Sequence, residues 1–536
     1  MTAYHGGGFV VVADGPDILK DKFVIYDLDG TLPDEVAWFN VRDGSINFRA
    51  EKFNADLYAA PNLTRSSIKK VPYERYFGTI PKKDKPNPQV LNDFGDALRF
   101  NASYDENEST TPVAYTYFGQ FVFHDLTAMV LPSNGGKPYS ERTASLDLDS
   151  VFGPADPSRV EPATMMPVGS TAPPEQSRPC DLPRTSDGVA EVKDLRSDDN
   201  LPLAQTHLAL IRFFNAIVAN CPGISHVDAR ALAVRHFQSV VLHDYLVRVI
   251  DCEVYQDVMS KGRAIIHTED HKQARASQPF RYMVPLEFAA ACARFGHSMI
   301  RNTYPDWNTA NSARLSSFWS NTHNSCIPPF DGHDERRTRL PDRWVSQWGK
   351  LLDGRGLPAG ERPLMAAKID TVLADPLRAI PDAALPDLTK TLKTSPKNLA
   401  SISLLRGASL ELSSAEAVGD AILRQLETRA SPTFPILKDE LRQDEPTDVQ
   451  NFLGGDLLGN TPLWFYTLKE AAILGGGQHL GPLASRIVME TIHAAIEESS
   501  PSILNDTWVP EPKLRPSDAG RYTLADLIAF AGLYNP

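Results

Sequence analysis

Gln120 and His124 stand at i and i+4 in the stretch Tyr115-Thr-Tyr-Phe-Gly-Gln-Phe-Val-Phe-His-Asp-Leu-Thr127. In a helix this spacing puts both on one face, while Phe118, Phe121, Val122 and Leu126 cover much of the rest. A polar pair inside an apolar helix is either hydrogen-bonded core or the wall of a site, where a neutral imidazole can take a proton and return it. A second histidine, His297, lies 297 − 124 = 173 residues later, near the end of Tyr282-Met-Val-Pro-Leu-Glu-Phe-Ala-Ala-Ala-Cys-Ala-Arg-Phe-Gly-His-Ser-Met-Ile300. Small residues dominate that segment, so as a helix it could approach a flat ligand closely, and its histidine could equally be a packing or capping residue. In Thr143-Ala-Ser-Leu-Asp-Leu-Asp-Ser-Val-Phe-Gly153, Thr143, Ser145, Asp147 and Asp149 present oxygen atoms at alternate positions. That pattern suits a hard cation such as calcium, which takes about 6–8 oxygen ligands, and it suits a solvated acidic loop as well. Arg196 sits at the mouth of an apolar helix, where burial would require an anion to face it.

The elements that must position these residues read mostly as helix. The His124 helix begins after Pro112, a residue suited to a first helical turn. A strongly apolar helix occupies the second half of Asp194–Asn215, with His207 as a packing residue, and another runs through Ala231–Val254 as core. Ala400–Gly407, Thr461–Ala472 and Asp526–Ala531 continue the helical pattern. Residues 1 to about 85 are mixed, with a strand at Lys22–Tyr26 and then Asp27-Leu-Asp-Gly30 and Thr31, which look like the start of a phosphatase loop. No partner lysine and acidic pair follows at suitable places. Pro81–Pro88 is an extended Lys/Pro connector, and Gly153–Asp187 is a long Pro-, Ser- and Thr-rich surface excursion. The expected class is mainly α with little β, as an N-terminal extension over residues 1–100 packed on a main domain over 101–536.

The motifs resemble those of the animal-type haem peroxidases, the peroxidase–cyclooxygenase superfamily. Its distal-histidine pattern is Gly-Gln-Phe-x-Asp-His-Asp, and Gly119, Gln120, Phe121, His124 and Asp125 match it, with Phe123 in place of the first acid. Arg196 resembles the distal arginine of Arg-x-x-Glu-Asn/Met, with Asp199 where the glutamate stands. Arg294, Phe295, Gly296 and His297 reproduce the Arg-Tyr/Phe-Gly-His of the proximal iron ligand. Arg406 matches the arginine of Leu-Asn-x-x-Arg, and Ser403 replaces its asparagine. The resemblance runs from about residue 105 to the C-terminus.

It implies a helical fold with haem b clamped between two core helices. His297 would ligate the iron, with Arg294 and Arg406 near the propionates and Ser403 in place of the residue that holds the proximal imidazole. His124 would be the distal acid and base, Arg196 would stabilise cleavage of the O–O bond, and Gln120 would position peroxide, water or a halide. A calcium ion would be held by Asp125, Thr143, the Ser145 carbonyl, Asp147 and Asp149. Many members tether haem by two esters. Phe123 cannot form one and Asp199 is a methylene short, so at most one link is expected. The implied activity is reduction of hydrogen peroxide with oxidation of an organic donor or a halide. Fatty-acid dioxygenases of the same superfamily carry a tyrosine three residues before the proximal histidine, where this chain has Arg294, but they share the missing acid at Phe123. A haem-binding protein with little turnover is the third reading.

Composition is ordinary and globular, with 42% hydrophobic and 23% charged residues in 536. The net charge of −13 speaks against nucleic acid or an anionic membrane as partner, because both reward clustered cations. No window approaches the roughly 18 apolar residues of a membrane span, and the N-terminus lacks the order of a secretory signal. Five scattered cysteines form no ligand pair or disulfide pattern. The expected location is the cytoplasm, or outside the cell by a route without a recognisable signal.

Overall fold

The structure is a computed structural model that describes residues 71–78, 85–101, 108–130, 137–172, 177–266, 283–305, 307–322, 338–380, 397–505 and 507–534, with the backbone of four strands before residue 53. The architecture is mainly helical, and its strands form only two- and three-stranded sheets. We label the helices that build the site α1 (Pro88–Ala97), α2 (Ala114–Leu126), α3 (Leu201–Asn220), α4 (His226–Val240), α5 (Cys252–Lys261), α6 (Leu286–Ala290), α7 (Leu399–Ser409), α8 (Leu463–Leu474), α9 (Pro482–Glu497) and α10 (Leu524–Phe530).

Helix α2 is buried at every residue except Gln120. A helix apolar all round has to lie in a core, and α2 packs on α3, which in turn packs on α4 and α10. On its other side α2 meets a 3-10 segment, Cys292–His297, that is backed by α6, α8 and α9. Helix α9 also packs on α5, so the core runs on beyond this seam. Further along, Phe94 of α1 is fully buried, edge-on to Phe452 and Phe465 at 5.8 and 5.0 Å, and α1 lies along α7. Among the described residues α3 is long and apolar enough to cross a membrane, and 78% of its apolar window is buried inside the protein.

Several expected elements end differently. The strand Glu108–Pro112 pairs antiparallel with Met365–Ala367 and stops at Pro112, so this proline closes a strand and α2 starts two residues later. The expected helix Ala231–Val254 is α4, then a π turn at Val241–Tyr245 and one α turn at Leu246–Val249. It breaks at Ile250 because the Asp251 carboxylate accepts from the Glu253 and Val254 amides and starts α5 afresh. The expected small-residue helix 282–300 is α6, a break at Ala291 (φ −130°, ψ −74°), and the tighter 3-10 segment that ends on His297. Its start is pinned from outside, since the Glu287 carboxylate accepts from the Tyr76 and Phe77 amides. Of the N-terminal strand, Val24–Ile25 pairs antiparallel with Val11–Val12. The Asp27–Thr31 motif lies outside the described residues. The Pro-rich excursion carries only isolated bridges where it is described.

His207 behaves as the packing residue expected of it. It is fully buried on α3, edge-on to Phe121 at 5.8 Å, and neither ring nitrogen has a hydrogen-bond partner. Burial pushes its pKa from 6.5 down to about 4. A base whose folded pKa is depressed adds stability above its unfolded pKa and loses it as pH falls through the folded one. His207→Leu is therefore expected to shrink the fall in Tm between pH 7.5 and pH 4.5. Parallel thermal melts of both proteins at the two pH values check this, and an unchanged difference would contradict it.

Candidate active site

Between α2 and the 3-10 segment lies a cavity of about 1600 Å³ including its mouth. One wall is α2, with Gln120, Phe123 and His124, and Arg196, Asp199 and Asn200 border it. The facing wall carries Arg294, Gly296 and His297, and Arg406 enters from α7. The far end is apolar, made by Ile300, Leu315, Trp319, Leu377, Ile380 and Ile402. The structure thus brings together every residue expected around the cofactor except Ser403.

The His124 end of α2 is held by an arginine. Arg196 Nη2 donates to the His124 carbonyl at 3.0 Å and Nη1 to the Thr127 carbonyl at 2.9 Å. These are the carbonyls a helix leaves unpaired at its C-terminus, where the macrodipole is negative, so a guanidinium there satisfies both hydrogen bonding and charge. Arg196 also grips Asp194, through Nε at 2.9 Å and Nη2 at 2.6 Å. Burial of Asp194 favours its neutral form, but Arg196 and then Arg142 outweigh this and hold its carboxyl far below the usual range. Four of the five guanidinium N–H donors are engaged in these bonds. The sequence reading assigned Arg196 to the breaking O–O bond. Its charge borders the cavity, yet its neighbours make it first the clamp that orients the His124 turn.

Phe123 faces the cavity within an aromatic cage, its ring 5.6 Å from Phe288, 5.8 Å from Phe295 and 6.4 Å from Tyr245. Asp199 lines the same space; it is half-buried overall, but one carboxylate oxygen is enclosed, and this desolvation raises its carboxyl well above the usual range although Arg196 opposes the shift. On the facing wall Arg294 Nε donates to the Ala289 carbonyl at 3.1 Å. Burial, and then repulsion from Arg406, pushes Arg294 well below its ordinary pKa. Burial alone pushes Arg406 down to about 10. The half-buried Arg294 and the buried Arg406 repel each other, with no acidic group among the described residues paired to either, and together they could receive a dianionic ligand. Ala289, Ala293 and Gly296 keep the wall low, and a methyl group added at Gly296 would meet nothing within 4 Å.

Ser403 requires a correction. Its hydroxyl donates to the Leu399 carbonyl at 2.9 Å, one turn back on its own helix, and it lines a separate crevice behind Ala291. The hydroxyl is spent on the carbonyl of its own helix, a local bond that serine commonly makes, and Ser403 does not border the cavity.

In the oxygen-rich loop the Asp125 carboxylate accepts from the Leu148 and Ser150 amides at 3.1 and 3.2 Å and from the Ser150 hydroxyl at 2.6 Å. Thr143 Oγ1 donates to Asp147 at 3.0 Å, and the Thr143 amide to Asp149 at 3.2 Å. Ala144 and Leu148 take left-handed backbone (φ 60° and 56°), which coils the loop. Burial, reinforced by mutual repulsion, raises the pKa of Asp125 and Asp149, and burial raises that of Asp147 against the pull of Arg230. Among the described residues no three His, Cys, Asp or Glu side chains converge as a metal would require.

Three neighbours escaped the sequence reading. Arg142 bridges Asp149 and Asp194, both at 3.3 Å, and so joins the loop to the Arg196 clamp. Nothing in its sequence surroundings marks it. Asp194 accepts from the Arg196 amide at 3.1 Å, and Asn200 Oδ1 accepts from the Leu203 amide at 3.0 Å. Both are Asx residues just before helical turns, a legible capping signal. Gly119 also has its reason here: a methyl group there would stand 2.3 Å from the Tyr245 hydroxyl.

No family model matches the sequence, and no curated protein resembles it in sequence. In structure the chain is similar to peroxidase A from Dictyostelium discoideum, with 14% identity, a TM-score of 0.52 and coverage of 86% of this chain and 93% of that one. It is equally similar to the Oryza sativa fatty acid alpha-dioxygenase, at 14% identity and a TM-score of 0.52, covering 87% of this chain and 80% of that one. A variant of the rice enzyme with palmitic acid matches to the same degree. The fold is that of the helical haem peroxidases, as the motifs implied.

Asp194 is the hub of the clamp. Asp194→Asn keeps its shape and leaves Arg142 and Arg196 without their shared carboxylate, and breaking a buried ion pair from one side costs about 3–5 kcal/mol. Urea denaturation should show a loss of that order. A loss below about 1 kcal/mol, the level of an exposed pair, would show that the clamp does not matter.

Proposed function

We propose that this protein is a haem-dependent oxidoreductase of the peroxidase–cyclooxygenase superfamily that reduces hydrogen peroxide at the expense of an organic donor or a halide. The observation that carries the reading is the arrangement in one cavity: His124 and Gln120 on a buried helix, and His297 on the wall across from it, beside two cations with no acidic partner among the described residues. Those cations match the two propionates of haem b, His297 offers an imidazole for the iron, and the low Ala289–Gly296 wall leaves room for a flat ring. When bound, haem supplies the redox chemistry, cycling iron and porphyrin through higher oxidation states.

The chain's own residues supply the rest. His124, on a helix that cannot tilt while Arg196 holds its end, takes a proton from one oxygen of hydrogen peroxide and returns it to the other, so that the departing oxygen leaves as water. Arg196 contributes a fixed positive charge at the cavity edge, reduced by its pairing with Asp194. Gln120 places peroxide or a halide beside the imidazole. Phe123 excludes one ester, and Asp199, its carboxyl raised well above the usual range by desolvation, offers at most one link. A single observation favours a second reading: the apolar end formed by Leu315, Trp319, Ile380 and Ile402 suits an aliphatic substrate, as in the dioxygenase that shares the fold. Arg294, in place of the tyrosine expected of such an enzyme, favours the peroxidase.

A calcium ion on Asp125, Thr143, the Ser145 carbonyl, Asp147 and Asp149 belongs to the same proposal. The donor set is oxygen only, and the buried carboxylates of Asp125 on α2 and of Asp147 and Asp149 in the coiled loop would be relieved by a divalent cation. Thr143 Oγ1 and the loop amides would have to release them first. With calcium seated directly behind His124, metal and haem sites would share α2.

Haem-loaded protein should show a Soret band that His297→Ala loses, and with hydrogen peroxide it should oxidise a generic aromatic donor without consuming dioxygen. Oxygen uptake with palmitic acid in the absence of such a donor would favour the dioxygenase, and a wild-type Soret band in His297→Ala would remove that residue from the iron. Metal analysis should find one calcium per chain, with Asp147→Ala or prolonged chelation lowering Tm and activity together. Full activity in calcium-free protein would dismiss the metal.

A further inference from the structure

The residues that follow His297 are bonded to the stretch that leads into α2 on the other wall. Ser298 is fully buried, and its hydroxyl oxygen accepts from the Asp370 amide at 3.2 Å. Its one hydroxyl hydrogen can go to the Phe295 or the Lys368 carbonyl, each 3.2 Å away. The Met299 carbonyl accepts from the Ala367 amide at 3.1 Å. Two residues on, the buried Arg301 donates from Nη1 to the Met365 carbonyl and to Glu108 Oε1, both at 2.8 Å. Glu108 opens the strand that pairs with Met365–Ala367 and leads into α2. The Val113 amide, just before that helix, donates to the Leu364 carbonyl at 2.9 Å. Tyr304, whose hydroxyl accepts from the Arg301 amide at 3.1 Å, meets the Tyr117 hydroxyl of α2 at 2.6 Å.

We infer that residues 364–370 are a cross-tie that fixes one cavity wall against the other, and that Ser298 and Arg301 are positioning residues that carry this tie to His297. The inference rests on the haem reading above and deepens it, since it states what sets the depth at which the iron ligand stands. Hydrogen bonds are directional and short in reach, so bonds from Ser298, Met299 and Arg301 to a single stretch leave the intervening chain little freedom. Ser298 directly follows His297 and restrains the backbone from which the imidazole hangs. Ser403 lies in a separate crevice and lends no such support. Glu108 acts from the α2 side, because a buried guanidinium needs an anion and the anion of Arg301 stands on the strand that leads into α2.

The test reads the iron–histidine stretching band of the ferrous, haem-loaded protein by resonance Raman spectroscopy, and amide hydrogen exchange of the protein as purified. Ser298→Ala removes the tie beside His297, Ser298→Thr keeps the hydroxyl, and Glu108→Gln weakens the tie from the α2 side without touching Ser298. The band should shift in Ser298→Ala and in Glu108→Gln and stay at its wild-type position in Ser298→Thr. Haem should dissociate about tenfold faster in the two shifted variants, the lower end of what an outer partner contributes to a metal site. The Val113 and Ala367 amides should exchange about tenfold faster in Ser298→Ala, while α10 exchanges as in the wild type. A band unmoved by Ser298→Ala or by Glu108→Gln, or moved equally by Ser298→Thr, overturns the inference. Exchange unchanged at Val113 means that the stretch holds one wall only, and faster exchange that includes α10 is general destabilisation; either overturns it as well. A wild-type protein that takes up no haem overturns the proposed function, and exchange at Val113 and Ala367 then decides the cross-tie by itself.

Discussion

The interaction on which the rest depends is the grip of Arg196 on the C-terminal carbonyls of α2. A helix end buried in a protein has unpaired carbonyls and a negative dipole, and both must be answered. Here one guanidinium answers them, and Asp194 answers the guanidinium. Through Arg142 the same network reaches Asp149 and the coiled loop, and Asp125 ties that loop back to α2 from the other side. The turn that carries His124 is thus held at two points by a network of opposite charges within the core. On the proposed reading, in which His124 transfers a proton, this fixity would matter, because efficiency falls steeply when reacting atoms are misplaced by about 1 Å.

The facing wall follows the opposite logic. The half-buried Arg294 and the buried Arg406 lie close enough for each to raise the cost of the other's charge, and no described carboxylate relieves them. On the proposed reading a dianionic ligand would offset that penalty, so one wall of the cavity is complete in itself and the other would be completed by what it binds. The 3-10 segment serves the second wall. Its break from α6 at Ala291 lets a chain pinned at Glu287 turn tightly enough to bring Gly296 and His297 to the cavity.

Much of this was legible in the sequence because it depends on local spacing. The i, i+4 pair Gln120 and His124, the apolar face around it, the mainly helical class and the motif residues Arg196, Arg294, His297 and Arg406 all converge on one cavity. Where the reading failed, a long-range contact overrode a local pattern. The run of small residues at 286–297 has the composition of one helix, but the pin between Glu287 and the Tyr76 and Phe77 amides, some 210 residues away in the chain, belongs to no local window. Ser403 sat at the right register for a partner of His297, and register does not reveal that a hydroxyl prefers the carbonyl of its own helix.

The sequence by itself determined which chemical groups exist and on which helical face each lies: two imidazoles, three arginines, a glutamine, and a phenylalanine in place of an acid. These follow from residue type and the 3.6-residue period, which need no neighbours. Only the tertiary structure decided what each group is free to do. Arg196 became a clamp because two carbonyls and Asp194 lie within its reach, Arg294 and Arg406 stay without an acidic partner because no described carboxylate lies within theirs, and Gln120 meets Asn200 because the cap of α3 lies beside α2. Charge and hydrogen-bonding capacity are properties of a residue, but whether they are spent internally or offered to a ligand depends on distances between segments that the chain order does not encode.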